Sequence, residues 1–226
     1  MGKTFCTNIK IINKMKILKK ITPPPYSWLP LLSVFGFNMF VYYGTRLLNA
    51  GREHYMIETS LDRRIPLCTG FIVIYVLAYG QWACGYLLAA RESRRVCRKM
   101  AAADLMAKAG TFAVFLIFPT SIVRSSIQGR SWCDLLTALI YRLDAPDNLF
   151  PSIHCLESWL CFRSSLWLKK VPPWYPAASF LFTVLVCAST VLVKQHVLVD
   201  IPAGILMAEI GAALSGRVFD IQDRFS

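Results

Sequence analysis

The chain contains a short polar segment whose residue types suit nucleophilic chemistry. Lys194, Gln195 and His196 separate two apolar runs, and Asp200 follows His196 by four residues. On a helix, residues four apart lie on one face, so the Asp200 carboxylate can accept the N–H of His196. That contact fixes the tautomer and leaves the second ring nitrogen basic. Beside the charge of Lys194, His196 is suited to attack an anionic centre. An ordinary helix start with polar residues is the competing interpretation.

A second histidine stands at another predicted helix start. His154 follows Pro151 and Ser152, and serine is a favoured N-cap residue. Free N–H groups at a helix start bind phosphate oxygens, so we expect Ser152 to belong to an anion site. Arg124 ends an earlier apolar segment and supplies a second cation. Taken singly, these residues also fit a simple capped helix and an arginine that reaches towards the membrane surface.

Together these residues match the needs of phosphoryl transfer. Cations and N-terminal amides stabilise a pentacovalent phosphorus centre. One histidine can attack while the other protonates the leaving oxygen. The arrangement requires no metal or other cofactor, and the sequence has no acidic cluster for magnesium. A zinc site built from His154, His196 and Asp200 is the alternative, and loss of activity on chelation with recovery on added zinc would favour it.

The composition places this chemistry in a membrane. Of the 226 residues, 55% are hydrophobic, and the mean hydropathy is +0.46. Several windows approach the roughly 20 apolar residues that cross a bilayer as a helix. The formal charge of +12 resides largely between these windows, which is typical of a membrane protein rather than of a nucleic-acid-binding protein. The sequence therefore predicts an all-α protein, a bundle of six transmembrane helices.

The predicted organisation is a basic tail followed by one membrane domain. The tail, residues 1–27, has six lysines and no acid, and is expected to lie on an anionic membrane surface or in solvent. The membrane domain covers residues 28–226. Its predicted spans are residues 28–48, 65–90, 105–123, 152–168, 175–193 and 197–216.

Counting charges on the two sides predicts the orientation. The basic tail, a basic loop at 91–108 and Lys169–Lys170 fall on one side of six spans. The positive-inside rule makes that side cytoplasmic, with both termini there, and we expect the plasma membrane. The same count brings the candidate site residues together at the outer face: Arg124, Ser152, His154, Lys194 and His196.

Two sequence motifs resemble those of the type-2 phosphatidic acid phosphatase superfamily. Pro151-Ser152-Ile153-His154 is similar to the P-S-G-H motif in three of four positions. The last motif of the family is S-R-x5-H-x3-D. It is matched here at Ser189, His196 and Asp200, with Thr190 in the arginine position.

In this last motif, Lys194-Gln195 precedes the histidine, and that form resembles the branch of the superfamily that includes inositol phosphorylceramide synthase-like proteins. The first family motif, K-x6-R-P, is met only by Arg124, because Ile117 and Ser125 stand where the lysine and proline would be. The resemblance covers residues 105–216, the expected catalytic core, and implies the six-span phosphatase fold.

The resemblance also implies roles for these residues. His196 would form a phosphohistidine, Asp200 would orient it, and His154 would act as general acid and then activate water. The remaining three, Arg124, Ser152 and Lys194, would bind the phosphate.

The predicted function is a metal-independent membrane phosphatase for a lipid phosphate or lipid pyrophosphate. A lipid phosphotransferase with the same nucleophile and an alcohol acceptor is the alternative. A non-catalytic transporter or lipid-binding scaffold is a third interpretation. The sequence leaves the lipid and the oligomeric state open.

Overall fold

The computed structural model describes residues 22–225, and most of them are helical. The membrane contact predicted for the basic tail lies mostly outside the described residues. The helices are α1 (Trp28–Met39), α2 (Thr45–Leu48), α3 (Ser60–Arg64), α4 (Ile72–Glu92), α5 (Arg94–Ile117), α6 (Trp132–Leu143), α7 (Ile153–Ser165), α8 (Tyr175–Leu192) and α9 (Asp200–Phe225). Two short strands, β1 (Tyr55–Met56) and β2 (Thr120–Ser121), pair in parallel.

Four of the described helices are long and apolar enough to cross a bilayer: Thr69–Glu92, Arg94–Ile117, Tyr175–Leu192 and Asp200–Gln222. They overlap the second, third, fifth and sixth predicted spans. The predicted first span is helical from Trp28 to Leu48 but contains a π-helical turn at Phe40–Gly44. The predicted fourth span contains α7, whose 13 residues reach only about 20 Å, less than the roughly 30 Å of the hydrocarbon core. The complete six-span arrangement stays a prediction.

The basic loop predicted at residues 91–108 is wrong. Only Ser93 separates α4 from α5, and its hydroxyl caps α5 by accepting from Val96 N at 3.1 Å. The alanine-rich run that follows favours helix, so the basic residues lie along the first turns of α5. The third predicted span accordingly begins and ends earlier than expected, and Lys108 is buried inside the bundle.

Helix α7 occupies the centre of the bundle, where α4, α5, α8 and α9 pack around it. Small residues allow the close packing of α9. A Cβ atom on Gly204 would lie 2.4 Å from the Ser152 carbonyl of the α7 start, and one on Gly211 would lie 2.2 Å from the Ala103 carbonyl of α5. Small residues at such contacts let helices in a membrane gain dispersion energy and close backbone approach.

The polar connections meet at one end of the bundle. Cys68 N, before α4, donates to Leu192 O at the end of α8 at 2.8 Å. Ser152 N, before α7, donates to Asp200 O at the start of α9 at 3.3 Å. At the opposite end, Glu92 accepts from the backbone N–H groups of Lys169 and Lys170. The turn between α4 and α5, with its basic residues, and the candidate site therefore lie at opposite ends of the helices.

Candidate functional site

A cavity of about 400 Å³ lies at the polar end of the bundle, and both candidate histidines line it. Its walls come from α1, the π-helical turn, α4, the segment after α6, the start of α7 and the connection between α8 and α9. Besides the histidines, the lining side chains that carry polar groups are Asn38, Tyr42, Tyr43, Tyr79, Trp82, Asp144, Asp147, Asn148 and Gln195. The centroids of the His154 and His196 rings are 6.2 Å apart, well inside the limit of about 10 Å for proton relay at one phosphoryl group.

His196 is held by Asp200 as its spacing predicted, although the connection between them is not yet helical. His196 Nδ1 lies 2.9 Å from Asp200 Oδ2, which also accepts from Val197 N at 3.1 Å. Because a carboxylate accepts only, we place the proton on Nδ1, which leaves Nε2 as the basic nitrogen. Burial opposes the charged imidazolium, but the hydrogen bond and the charge of Asp200 outweigh it and raise the pKa of His196 above its usual 6.5.

His154 stands in the first turn of α7 within an aromatic surround. Its ring stacks on Tyr75, with centroids 4.1 Å apart, and lies 5.0 Å from the Trp82 ring. Its Nδ1 lies 3.4 Å from the Tyr75 hydroxyl. Nε2 is buried and has no hydrogen-bond partner among the described residues. A ring fixed in this way, with one free nitrogen beside a cavity, can exchange a proton with a ligand.

Ser152 lies two residues before His154 and is fully buried. Its hydroxyl caps α7 by accepting from Cys155 N at 3.3 Å, as the sequence predicted for an N-cap. The neighbouring residues Ile153 and His154 line the cavity, so the N-terminus of α7 borders it. A helix start of this kind favours an anion. The role of Ser152 in phosphate binding stays a prediction.

The two predicted cations lie near the cavity but are bonded to protein acceptors. Arg124 donates to the carbonyl oxygens of Tyr141, at 3.0 Å, and Asp144, at 2.6 Å, and to the side-chain oxygen of Gln195. Lys194 Nζ donates to Asp62 O at 2.8 Å. Neither side chain is part of the cavity lining. Direct phosphate binding by Arg124 and Lys194 therefore stays a prediction. Their hydrogen bonds instead fix the segment between α8 and α9, which contains His196.

Gln195 lines the cavity but was not among the site residues predicted from the sequence. It is 1% exposed and lines the cavity, its Oε1 is held by Arg124, and its Nε2 has no partner among the described residues. An amide donor beside a nucleophile can stabilise charge on a transferred group. Its place in the Lys-Gln-His triplet was the available signal. No sequence signal pointed to Asn38 or Asp62, because they reach the site only through contacts with residues far away in the chain.

A second cavity of about 570 Å³ adjoins the first, and the two share Asn38, Met39, Tyr79 and Trp82. Most of the lining of the second cavity is apolar, but Lys108 and Glu157 form part of it. These two residues pair with each other, and Lys108 also lies 3.0 Å from Asp104. The Tyr86 hydroxyl donates to Glu157 at 3.0 Å. An ionic cluster therefore lies deep among the helices, one turn along α7 from His154.

Within residues 22–225, no group of three or more histidine, cysteine, aspartate or glutamate side chains is arranged to hold a metal ion. The imidazole Nδ1 of His196 is instead turned to Asp200. In comparisons with family models, curated proteins and solved structures, none matched the chain.

Proposed function

We propose that the protein is an integral membrane lipid phosphatase of the type-2 phosphatidic acid phosphatase kind. It hydrolyses a lipid phosphate or pyrophosphate through a phosphohistidine on His196, without a metal. The observation that carries the proposal is the His196–Asp200 pair, which faces His154 across a cavity with 6.2 Å between ring centroids. A hydrogen-bonded carboxylate and one free nitrogen are what an imidazole nucleophile needs.

The reaction has two steps at this site. His196 Nε2 attacks phosphorus, the bond between phosphorus and the lipid oxygen breaks, and His154, which the negative charge of the bound phosphate keeps protonated, gives its proton to that oxygen. Water then attacks phosphorus, His154 takes a proton from the water, the bond between phosphorus and His196 Nε2 breaks, and inorganic phosphate leaves. The N–H groups at the start of α7 and Gln195 Nε2 are the donors placed to stabilise the phosphoryl oxygens.

In this proposal, the helical run 28–48 and α7 complete a six-span bundle. The protein resides in the plasma membrane with both termini in the cytoplasm and the site at the outer face. The basic residues of the α4–α5 turn support this orientation, because they lie at the end opposite to the cavity, where Glu92 meets Lys169 and Lys170.

The test is a panel of lipid phosphates and pyrophosphates assayed with the purified protein, beside His196→Ala. We expect phosphate release from at least one lipid and a loss of at least about 10³-fold in the variant, since removal of a covalent nucleophile abolishes the main route. His54→Ala is the matched control, because His54 lies outside both cavity linings.

Rapid quenching with radiolabelled substrate should trap an acid-labile, base-stable label on the peptide that contains His196. Phosphate release that is equal in the wild type and His196→Ala would contradict the proposal. Absence of activity on every lipid of the panel would favour a transporter or scaffold.

The second cavity supports a second candidate, a lipid phosphotransferase. The Oδ1 atom of Asn38 is buried without a partner among the described residues, and Asn38 lines both cavities. It is placed to accept the hydroxyl hydrogen of a lipid alcohol whose chain occupies the second cavity. In the same assay, transfer of label to an added diacylglycerol or ceramide, rather than release of free phosphate, identifies the transferase.

A further inference from the structure

The connection between α8 and α9 carries His196 in an unusual backbone shape. Lys194 has a φ of 54°, a left-handed conformation that is uncommon for residues other than glycine. Gln195 N and His196 N both donate to Thr190 O, at 2.9 and 3.1 Å, and so fold the connection back on the end of α8. These bonds hold the connection from one side only. Arg124 holds the Gln195 side chain, but a different residue holds the Leu198 backbone.

Asp62 of α3 supplies contacts on both sides of His196. Two residues before the histidine, Lys194 Nζ donates to the Asp62 carbonyl at 2.8 Å. Two residues after it, Leu198 N donates to Asp62 Oδ1 at 2.7 Å. Asp62 is 2% exposed, so these bonds are shielded from competing water. Asp62 thus clamps the connection although 136 residues separate it from Leu198.

The second carboxylate oxygen of Asp62 is also fixed. Thr59 and Asp62 form a capping box at the start of α3, in which Oδ2 accepts from Thr59 N at 2.9 Å. Burial raises the pKa of Asp62, but the bonds from Thr59 and Leu198 and the charge of Lys194 outweigh it and hold the pKa below its usual value. The side chain is therefore an ionised and rigid anchor, and not a solvated residue of a surface loop.

We propose that Asp62 is a positioning residue that sets the place and orientation of His196 for phosphoryl transfer. The expected change in rate rests on the proposed function. The expected change in the position of the His196 ring does not. Asp62 does not line the cavity, so it acts through the Lys194 side chain and the Leu198 backbone, on either side of His196. Displacement of a reacting group by about 1 Å can cost on the order of 10²-fold in rate.

The test compares Asp62→Ala and Asp62→Asn with Asp134→Asn. Asp134 forms the equivalent capping box with Ser131 at the start of α6, its side chain otherwise accepts from Thr69 and not from residues 194–198, and it is the matched control. We expect kcat to fall about 10- to 100-fold for Asp62→Ala, with less loss for Asp62→Asn, which keeps an acceptor for Leu198 N. The KM should stay within about twofold of the wild-type value. Asp134→Asn should leave kcat within about twofold.

A readout independent of activity separates this inference from the proposed function. The chain has 3 histidines, so ¹⁵N-histidine NMR with single-histidine variants can assign the His196 ring. In Asp62→Ala, we expect the Nδ1 resonance to lose the shift caused by the bond to Asp200, while the His54 signals stay unchanged. An unchanged His196 resonance, or an equal fall in kcat for the Asp62 and Asp134 variants, would overturn the positioning role. An inactive wild type with a perturbed His196 signal would refute the proposed function alone.

Discussion

At the residue scale, the low-pH limit of the proposed activity depends on the protonation of His196. Nucleophilic attack requires neutral His196, and Asp200 raises the pKa of that ring in spite of burial. Below the raised pKa the ring is protonated on both nitrogens and cannot attack. Activity should therefore rise with pH through a pKa above 6.5, until a second group limits it.

Replacing Asp200 by asparagine tests this dependence. Asp200→Asn removes the charge that raises the pKa of His196, so the acid limb of the kcat/KM profile should move to lower pH. The maximal rate should also fall by about 10²-fold or more, because the ring loses its fixed tautomer. The measurement is kcat/KM against pH for both proteins. Asp220→Asn, on the exposed far part of α9, is the control, and an acid limb that does not move would contradict the assignment.

At the element scale, the start of α7 determines where His154 stands, and α9 determines where α7 starts. Gly204 of α9 touches Ser152 and Cys155 so closely that a Cβ atom would lie 2.4 Å from the Ser152 carbonyl. Further along, Glu209 of α9 accepts from Trp159 at 2.7 Å and pairs with Arg163 at 2.9 Å. The two helices are therefore in contact from the start of α7 at Ser152 to Arg163.

Gly204→Ala should push the start of α7 away from α9 beside the candidate site. We expect the free energy of unfolding to fall by about 1–3 kcal/mol, the usual cost of overpacking, and the phosphatase rate to fall because His154 moves. Gly216→Ala lies in the same helix, where an added Cβ meets nothing within 4 Å, and should be neutral or slightly stabilising. Thermal unfolding in detergent and the phosphatase assay measure the two effects. Equal stability of the two variants would show that the close contact is not required.

At the scale of the whole molecule, the bundle carries a buried ionic cluster among its helices. Lys108 is 1% exposed and Asp104 is fully buried, and Glu157 joins them from α7. Ionisable residues inside a membrane domain are costly unless they are paired, and they usually serve a function. Here they join α5 to α7 directly beside the second cavity, and Tyr86 extends the contact to α4.

Lys108→Met should destabilise the protein by about 3–5 kcal/mol, because it leaves two buried carboxylates without their cation. Adding Asp104→Asn and Glu157→Gln should recover part of the loss, since no uncompensated charge remains. Arg98→Met, on an exposed position of α5, is the control. Unfolding in detergent measures all three proteins. A stable Lys108→Met protein would show that the carboxylates are neutral or reach water in the folded state.

The sequence alone determined the features that depend on short separations along the chain. Apolar runs predicted membrane helices, because composition and length decide what can cross a bilayer, and four of the described helices agree. The four-residue spacing of His196 and Asp200 predicted their contact, and the serine before His154 predicted the cap of α7; both are present. The roles in catalysis stay predictions.

Only the tertiary structure decided the contacts between distant segments. The sequence could not show that Arg124 and Lys194 donate to protein acceptors, that Lys108 lies in the core, or that Asp62 holds the backbone after His196. A local hydrogen bond follows from helix or turn geometry, which a few neighbouring residues fix. A bond across 136 residues depends on how every helix between them packs, and no short sequence pattern encodes that.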